Sequence, residues 1–506
     1  MAQRVDVGSS PVASPRPKSA QQKSIQQYID ERPVWADGTE TPSAPLTQMQ
    51  RRIWSLAAAG KFFEGMVVFM TGVALPLVSK EFGFGAWEHG VVAAASLFGI
   101  LVGATLLGGL ADHFGRKSMF ITGMVIFTVF LVLICFSPNF IWLAICLLGI
   151  GIALGCDYPT AHMVISESIP SQTRGRLVLS AFGFQAVGAL TGTAVGYLVL
   201  TSAQDLGAWR WMYATAIIPA VFVIIGRFYI TESPHWLMSH GRTEEAAGAA
   251  LRLLAREPQY PKEISLSGAE ATHGRVTDPD TQRTGWSALF DSKNRGATIL
   301  ASVPWFLQDL STYGIGIFAP TILAASIGHQ KQHATAVADI IQNDLLAARG
   351  AAFIDVLLIV GIIFAVWLTD RFGRIRLQIF GFIGCAAGLL IAAMSTHFTG
   401  TEQMLLIFAG FMLFNFMNNM GPNAQTYLIA GEVFPTHIRG KGAGFAASFA
   451  KIGAVITAFL FPILLVGIGT QALLYTLVGA SLLGALVTWR WRIETAGKSL
   501  DRIGRD

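Results

Sequence analysis

Apolar residues in this 506-residue chain come in blocks of roughly 20, and about twelve such blocks follow one another between residues 57 and 490. A helix of that length, rising about 1.5 Å per residue, crosses the roughly 30 Å hydrocarbon core of a bilayer. One water-soluble core could not bury so many. Charged residues make up only 13% of the chain and apolar ones 53%, against roughly 25% charged in soluble domains. The surface must therefore face lipid, and the expected fold class is an all-α membrane protein with twelve transmembrane helices in two pseudo-symmetric six-helix bundles.

The candidate spans cover residues 57–79, 89–111, 118–137, 140–166, 177–200, 210–230, 297–326, 347–369, 376–395, 404–430, 441–465 and 470–490. The net charge of +5 does not point to nucleic acid, because Lys and Arg cluster in alternate loops. One set of loops carries Arg116 and Lys117, Arg174 and Arg176, Arg371, Arg374 and Arg376, Arg439 and Lys441, and Arg490 and Arg492. By the positive-inside rule that face is cytoplasmic, and an even number of spans puts both termini there. Residues 1–55 are rich in Pro, Ser and Gln without a signal-peptide pattern, and are expected to be a disordered cytoplasmic tail. Cys135, Cys146, Cys156 and Cys385 all lie in apolar blocks, with no metal or disulfide spacing. They are expected to be small hydrophobes, and no cofactor or metal is expected.

Residues 231–295 interrupt the apolar pattern with segments such as Arg256-Glu-Pro and Thr277-Asp-Pro-Asp, and so separate six spans from six. The expected domains are bundles at 56–230 and 296–492, the cytoplasmic linker 231–295 and a tail at 493–506. Internal repetition supports the division. Leu110-Ala-Asp112-His-Phe-Gly115-Arg116 is echoed by Leu368-Thr-Asp370-Arg-Phe-Gly373-Arg374. Glu167-Ser-Ile-Pro-Ser-Gln-Thr-Arg174-Gly-Arg176 is echoed by Glu432-Val-Phe-Pro-Thr-His-Ile-Arg439-Gly-Lys441. The offsets are about 258 and 265 residues.

The Asp112-to-Lys117 segment, with its partner at Asp370 to Arg374, resembles the cytoplasmic loop signature of the major facilitator superfamily. The resemblance implies a secondary transporter whose halves rock about a central site. The Asp would cap a helix end, the Gly would make the turn, and the Arg residues would pair across the gap between bundles as an inner latch. Without a repeat, the same residues would read as plain positive-inside anchors.

A charge at the bilayer centre costs at least about 2.5–3.5 kcal/mol on insertion scales, so buried ionisable residues are functional candidates. Counting about 1.5 Å per residue from the cytoplasmic motifs puts Asp157, Gln185, Asp309 and Lys451 at similar depth, about 15 Å in. The half-to-half offset sets Asp157 and Tyr158 against Pro422 and Asn423, and Gln185 against Lys451. A pocket between the halves would then hold Asp157, Tyr158, Gln185, Trp305, Asp309, Tyr313, Asn423 and Lys451, a mixture suited to an oxyanion carried with protons. Simpler roles remain open. Tyr158, Trp305 and Tyr313 fit helix packing or the interface, Gln185 and Asn423 interhelical hydrogen bonds, and His162 packing beside Asp157. Glu64 in the first span is either interfacial or a proton carrier. Asp355, Asn415, Asn418 and Asn419 have no assigned role.

Three segments narrow the family: Gly155-Cys-Asp157-Tyr158-Pro159, Trp305-Phe-Leu-Gln-Asp309-Leu-Ser-Thr-Tyr313, and Gly421-Pro-Asn423 with Ala450-Lys451-Ile-Gly. Together they resemble the phosphate:proton symporters of that superfamily. The resemblance implies that Tyr158, Gln185, Trp305, Asp309, Tyr313, Asn423 and Lys451 line a phosphate site and that Asp157 takes part in proton coupling; Glu64 and Asp309 are the further candidates for the proton. The first span departs from that pattern, with Phe63-Glu64-Gly-Met-Val67 offering one acid where the family has two aspartates. The third span also lacks an acid expected there. Glu232-Ser-Pro-His-Trp-Leu and Glu494-Thr-Ala-Gly-Lys resemble sugar porters instead, although the paired glutamines of their seventh helix are missing around Trp305. The alternative is therefore a proton-coupled sugar or organic-acid porter, and beyond it a nutrient receptor that does not transport. No phosphate loop, paired-His metal motif or nucleophile elbow is present, so an enzyme is not expected. The expected partners are a small solute, protons and the lipid bilayer. A monomer is expected, and the short loops suit a bacterial inner membrane.

Overall fold

A computed structural model describes residues 23–32, 44–107, 110–255, 264, 266, 286–327, 337–435 and 438–495. Six long helices make the first half: α1 (Gln48–Phe82), α2 (Ala86–Val102, continued by a π-helical turn at Gly103–Leu107), α3 (Arg116–Ile134), α4 (Phe140–Ser168), α5 (Ser171–Ser202) and α6 (Ala208–Phe228). The second half holds α7 (Arg295–Ile327), α8 (Val337–Phe372), α9 (Arg374–Met394) and α10 (Thr401–Met420, resumed at Pro422–Glu432). A final helical stretch, Arg439–Arg490, is broken at Gly469, where φ is 78° and ψ 167°, and so supplies α11 and α12. Ten of these helical stretches are long and apolar enough to cross a membrane. Counting the last one as two and adding the 33-residue α7 gives twelve crossings. The protein is thus a multi-pass membrane protein with the two-bundle fold.

Apolar blocks underestimate these helices. The first begins at Gln48, not near residue 57, because Thr47 and Gln50 form a reciprocal capping box before the apolar run starts. At about 1.5 Å per residue its 35 residues reach about 52 Å, well beyond the hydrocarbon core. The stretch expected to be a disordered tail also contains structure. Residues Ile25–Asp30 form a short capped helix whose Ile25, Tyr28 and Ile29 are buried, and whose Asp30 accepts hydrogen bonds from the Ser171 backbone and hydroxyl at the start of α5 (2.7 and 2.8 Å). The low hydropathy of the segment hid this, because only three of its side chains are buried, against the end of the first bundle where α5 begins. The expectations for residues 1–22, 33–43 and 496–506, and for most of 256–285, lie outside the described residues. In the linker, Pro234–Ser239 and Thr243–Leu253 are helical.

Small residues set the depth of the site. Gly65 of α1 faces the Gln185 carbonyl of α5, and Gly188 of α5 faces the Phe62 carbonyl of α1, so closely that a Cβ at either position would collide with the opposing oxygen. This reciprocal contact brings Glu64 and Gln185 to one level. Gly188→Ala is therefore expected to force α1 and α5 apart, lowering the melting temperature of the purified protein and its yield in the membrane. Unchanged thermal stability would show that the backbone approach can relax freely.

Candidate functional site

At the centre of the two bundles lies a cluster of buried ionisable side chains. Glu64 of α1 accepts from Lys61 on the same helix (2.6 Å), Tyr313 of α7 (3.2 Å), Gln185 of α5 (3.4 Å) and Lys451 of α11 (3.4 Å). Lys451 also reaches the Tyr313 hydroxyl (2.6 Å) and Asp309 of α7 (3.3 Å), and Gln185 donates to Tyr313 (3.1 Å). Two ammoniums and two carboxylates thus share one site with a phenol and an amide. Each carboxylate lies against an ammonium, which offsets the cost of burying it.

An amide network forms one wall of this cluster. Helix α10 breaks at Gly421-Pro422, where proline cannot continue the helical hydrogen bonding. Asn423, just after the break, donates to Asn419 (2.5 Å) and accepts from Gln308 (3.2 Å). Thr312 accepts from both Gln308 (2.6 Å) and Asn418 (2.9 Å). Between this wall and α5, Gln185, Tyr313, Asn419 and Asn423 border a cavity of about 20 Å³. That is room for about one water molecule and no larger solute.

Both entrances to this cavity are closed. On the side of the Asp112 and Asp370 motifs Tyr427 of α10 stacks on Phe182 of α5 (4.5 Å between centroids), and its hydroxyl meets Nδ1 of His162 (2.8 Å). Tyr158 and Trp305 stand edge-on to the same Tyr427 ring, each at 6.1 Å. On the opposite side Phe69 of α1 packs onto Gly316, and Gly72 onto the Ile317 backbone, both of α7. The conformation is occluded.

Of the residues expected in the pocket, Glu64, Gln185, Asp309, Tyr313 and Lys451 come together directly, and Asn423 joins them through the amide wall. Tyr158 lies beside them. Its ring sits 3.4 Å beneath the Lys61 ammonium, while its buried hydroxyl has no partner among the described residues. Trp305 contributes to the aromatic closure rather than to the ionic cluster.

Asp157 is elsewhere. It points into the first bundle and is held by both terminal nitrogens of the fully buried Arg227 guanidinium (2.5 and 3.0 Å). Arg227 also donates to the carbonyls of Phe120 and Leu56 and stacks on the Phe120 ring. Depth counting gives height along a helix but not direction around it, and adjacent residues diverge by about 100°. Tyr158 faces the seam, and Asp157 faces away.

The repeated Asp-x-x-Gly-Arg motifs form two matching networks. Arg116 pairs with Asp112 (2.5 Å) and Glu167 (3.3 Å), and Arg374 pairs with Asp370 (2.9 Å) and Glu432 (3.3 Å). Gly115 (φ 95°) and Gly373 (φ 84°) make the turns before α3 and α9. These ion pairs lie within each half, which corrects the expectation that the arginines pair across the gap. A third carboxylate explains it. Glu232 accepts from the Lys117 backbone (3.0 Å), and Glu494 from those of Arg374 (3.0 Å) and Ile375 (3.1 Å), so each caps a helix start and closes the network on its own side. Ser233 and Thr495 complete the correspondence by donating to Glu167 (2.5 Å) and Glu432 (2.6 Å). Arg174 bonds locally to Ile169 and Ser171, and Arg439 to the Phe434 carbonyl.

Sequence reasoning left out Lys61, Gln308, Tyr427 and Arg227. Lys61 is three residues before Glu64 on a helix, a spacing that pairs side chains. Arg227, an arginine near the end of an apolar span, has the appearance of an interfacial anchor.

Two helical bundles closing on a charged, solvent-excluded centre define a carrier of the major facilitator superfamily. Comparison with known proteins agrees. Residues 54–506 match the model of the family described as "Sugar (and other) transporter", and the chain belongs to that family. It is 28% identical to the inner membrane metabolite transport protein YgcS of Escherichia coli, over 91% of this chain and 95% of the relative. It is 26% identical to a Schizosaccharomyces pombe protein provisionally described as an inorganic phosphate transporter, over 91% of this chain and 89% of that one. Among solved structures, the xylose transporter XylE of E. coli in an inward-open conformation superposes with a TM-score of 0.71. It is 20% identical, and the match covers 90% of this chain and 99% of that one.

Proposed function

We propose that this porter takes up a small oxyanion together with protons, inorganic phosphate fitting best, by alternating access. The observation that carries the reading is the pair of ammoniums, Lys61 and Lys451, sharing Glu64 at a closed central site. A neutral solute needs hydrogen bonds and no cation, whereas an oxyanion with several oxygens can draw both ammoniums, the Tyr313 hydroxyl and the Gln185 amide. When the anion takes Lys451, Asp309 loses its cation and becomes the natural acceptor of the coupled proton. Glu64 remains against Lys61. Asp157, already held by Arg227, is left out of the relay. The likeness to a relative provisionally described as a phosphate transporter supports this order of events. The Lys and Arg distribution supports cytoplasmic termini, and the short loops support a bacterial inner membrane.

A second reading is a porter of sugars or organic acids. It is favoured by the wall of Gln308, Asn418, Asn419 and Asn423, whose amides suit hydroxyl groups, and by the family description. Counterflow in proteoliposomes with phosphate, sulfate, hexoses and organic acids at two pH values separates the readings. Hexose exchange without phosphate exchange would overturn the phosphate reading. Asp309→Asn is expected to keep phosphate counterflow and to lose accumulation driven by a pH gradient. Accumulation at the wild-type level would remove Asp309 from the proton path.

A further inference from the structure

Asp355 of α8 is buried near the middle of its helix, 5% exposed, and belongs to no ion pair among the described residues. Its Oδ1 accepts from Asn415 of α10 (3.3 Å), and its Oδ2 lies 3.2 Å from the hydroxyl of Thr193 on α5. That second contact joins the two halves. Its height follows from the spacing along three helices. Thr193 is four residues beyond Ala189, Asp355 three before Leu358, and Asn415 four before Asn419, and those three residues border the central cavity. On each helix the offset is one turn, about 5 Å, toward the outer face.

The hydrogen inventory favours one form of the acid. Thr193 Oγ has one hydrogen, yet it lies within hydrogen-bond distance of the carbonyls of Ala189 (3.1 Å) and Leu190 (3.0 Å) as well as of Asp355. Three acceptors thus compete for one hydrogen: an ionised Asp355 takes it from the helix carbonyls, whereas a protonated Asp355 supplies its own and leaves the Thr193 hydrogen to its helix. Asn415 has two hydrogens, one for the Ile354 carbonyl (3.3 Å) and one for Oδ1. Every atom is then satisfied with a neutral acid. An ionised one would face two neutral donors and no cation within the bilayer.

Charged groups on the surrounding helices do not alter this. Lys61 and Glu64 of α1, Asp309 of α7 and Lys451 of α11 engage one another in the central cluster. Arg174 and Arg176 of α5, Arg374 and Arg376 of α9, and Asp370 and Arg371 of α8 lie at the cytoplasmic ends of their helices, and Glu402 begins α10 at the other end. On α8 itself Asp344 is buried and Arg349 is exposed, about three and two turns away.

We propose that Asp355 is a proton-binding gate residue, whose protonated carboxyl fastens α8 to Thr193 of α5 just outside the central cavity and whose deprotonation releases the outer seam. On release the Oδ2–H bond breaks, the proton passes to water entering from the outer face, and the electron pair stays on Oδ2. The carboxylate then draws in water, which parts the two helices. The proposal rests on the proton-coupled reading for its purpose, but neither measurement below uses a solute. Failure of phosphate transport would therefore leave it standing.

The test uses full-length protein in liposomes between about pH 5.5 and 9. Spin labels at Leu198→Cys of α5 and Leu346→Cys of α8, in a chain whose four cysteines are alanine, report the outer separation. Wild-type distances are expected to lengthen as pH rises, and Asp355→Asn to stay short throughout, since the amide can still donate to Thr193 and cannot ionise. Thr193→Val keeps the acid and removes its acceptor, so its seam is expected to be widened even at low pH. Infrared difference spectra between the two pH limits are expected to show a protonated carboxyl band that Asp355→Asn lacks. Wild-type-like widening in Asp355→Asn, an infrared spectrum the same with and without Asp355, or no pH-dependent widening in the wild type would each overturn the proposal. Should Asp355→Asn fail to fold, Thr193→Val decides, and a wild-type distance profile in that variant would overturn it.

Discussion

Lys451→Met is expected to cut phosphate uptake into proteoliposomes by more than about 100-fold while leaving the protein folded. The ammonium makes three contacts, to Glu64, Asp309 and Tyr313, from a helix of the opposite half to Glu64. Each charge-assisted hydrogen bond is worth roughly 1.5–3 kcal/mol, and one such loss alone gives about 10- to 150-fold. Methionine has nearly the same length and fills the space, so packing is kept while the charge goes. The two carboxylates then share only Lys61, and an incoming anion meets net negative charge. The defect should appear in counterflow as well as in pH-driven uptake, unlike that of Asp309→Asn. Phosphate exchange within a few-fold of wild type would show that Lys451 is a packing element and that the anion binds elsewhere.

The second large effect concerns stability. Asp157→Asn leaves the Arg227 guanidinium buried without its counter-ion, and Arg227→Met leaves Asp157 in the same condition. Removing one partner of a buried pair costs roughly 3–5 kcal/mol, whereas replacing both with neutral groups of similar size is often near neutral. Each single variant should therefore lower the melting temperature in detergent and reduce the folded yield. The double variant Asp157→Asn/Arg227→Met should recover most of the loss and transport at close to the wild-type rate. If Asp157→Asn were as stable as wild type but unable to accumulate solute against a gradient, Asp157 would return to the proton path.

How far the sequence was legible differs between the fold and the site. Twelve crossings could be counted from hydropathy alone because the bilayer imposes a length on every helix, and the paired motifs revealed the repeat. Height could also be read: Gln185, Asp309 and Lys451 come together at the depth their distances from the cytoplasmic motifs predict. Direction around the helix could not. In the nearly uniform apolar runs of α4 and α6 no polar stripe distinguishes the face toward the seam from the face toward the bundle. Asp157 therefore read as a pocket residue, and its partner Arg227, 70 residues later, went unnoticed. The segments beginning at Glu232 and Glu494 were visible as family signatures, yet their offset of about 262 residues falls between those of the other two repeats. They are the third members of the two arginine networks, and the repeat alone could have paired them.

Among the described residues, Glu64–Lys451 is the ion pair that joins one half to the other, and the site around it obeys a simple sum. Lys61 and Lys451 against Glu64 and Asp309 add to zero when all four are ionised. A monovalent oxyanion arriving alone makes the total minus one, and a proton arriving alone makes it plus one. When both arrive, the total returns to zero. An unbalanced charge in a closed, low-dielectric chamber is expensive, and a balanced one much less so. The carrier should then change sides readily when vacant and when fully laden, and reluctantly when half-laden. A fixed one-to-one ratio of proton to anion would thus be written into the count of four side chains, with no separate device to enforce it.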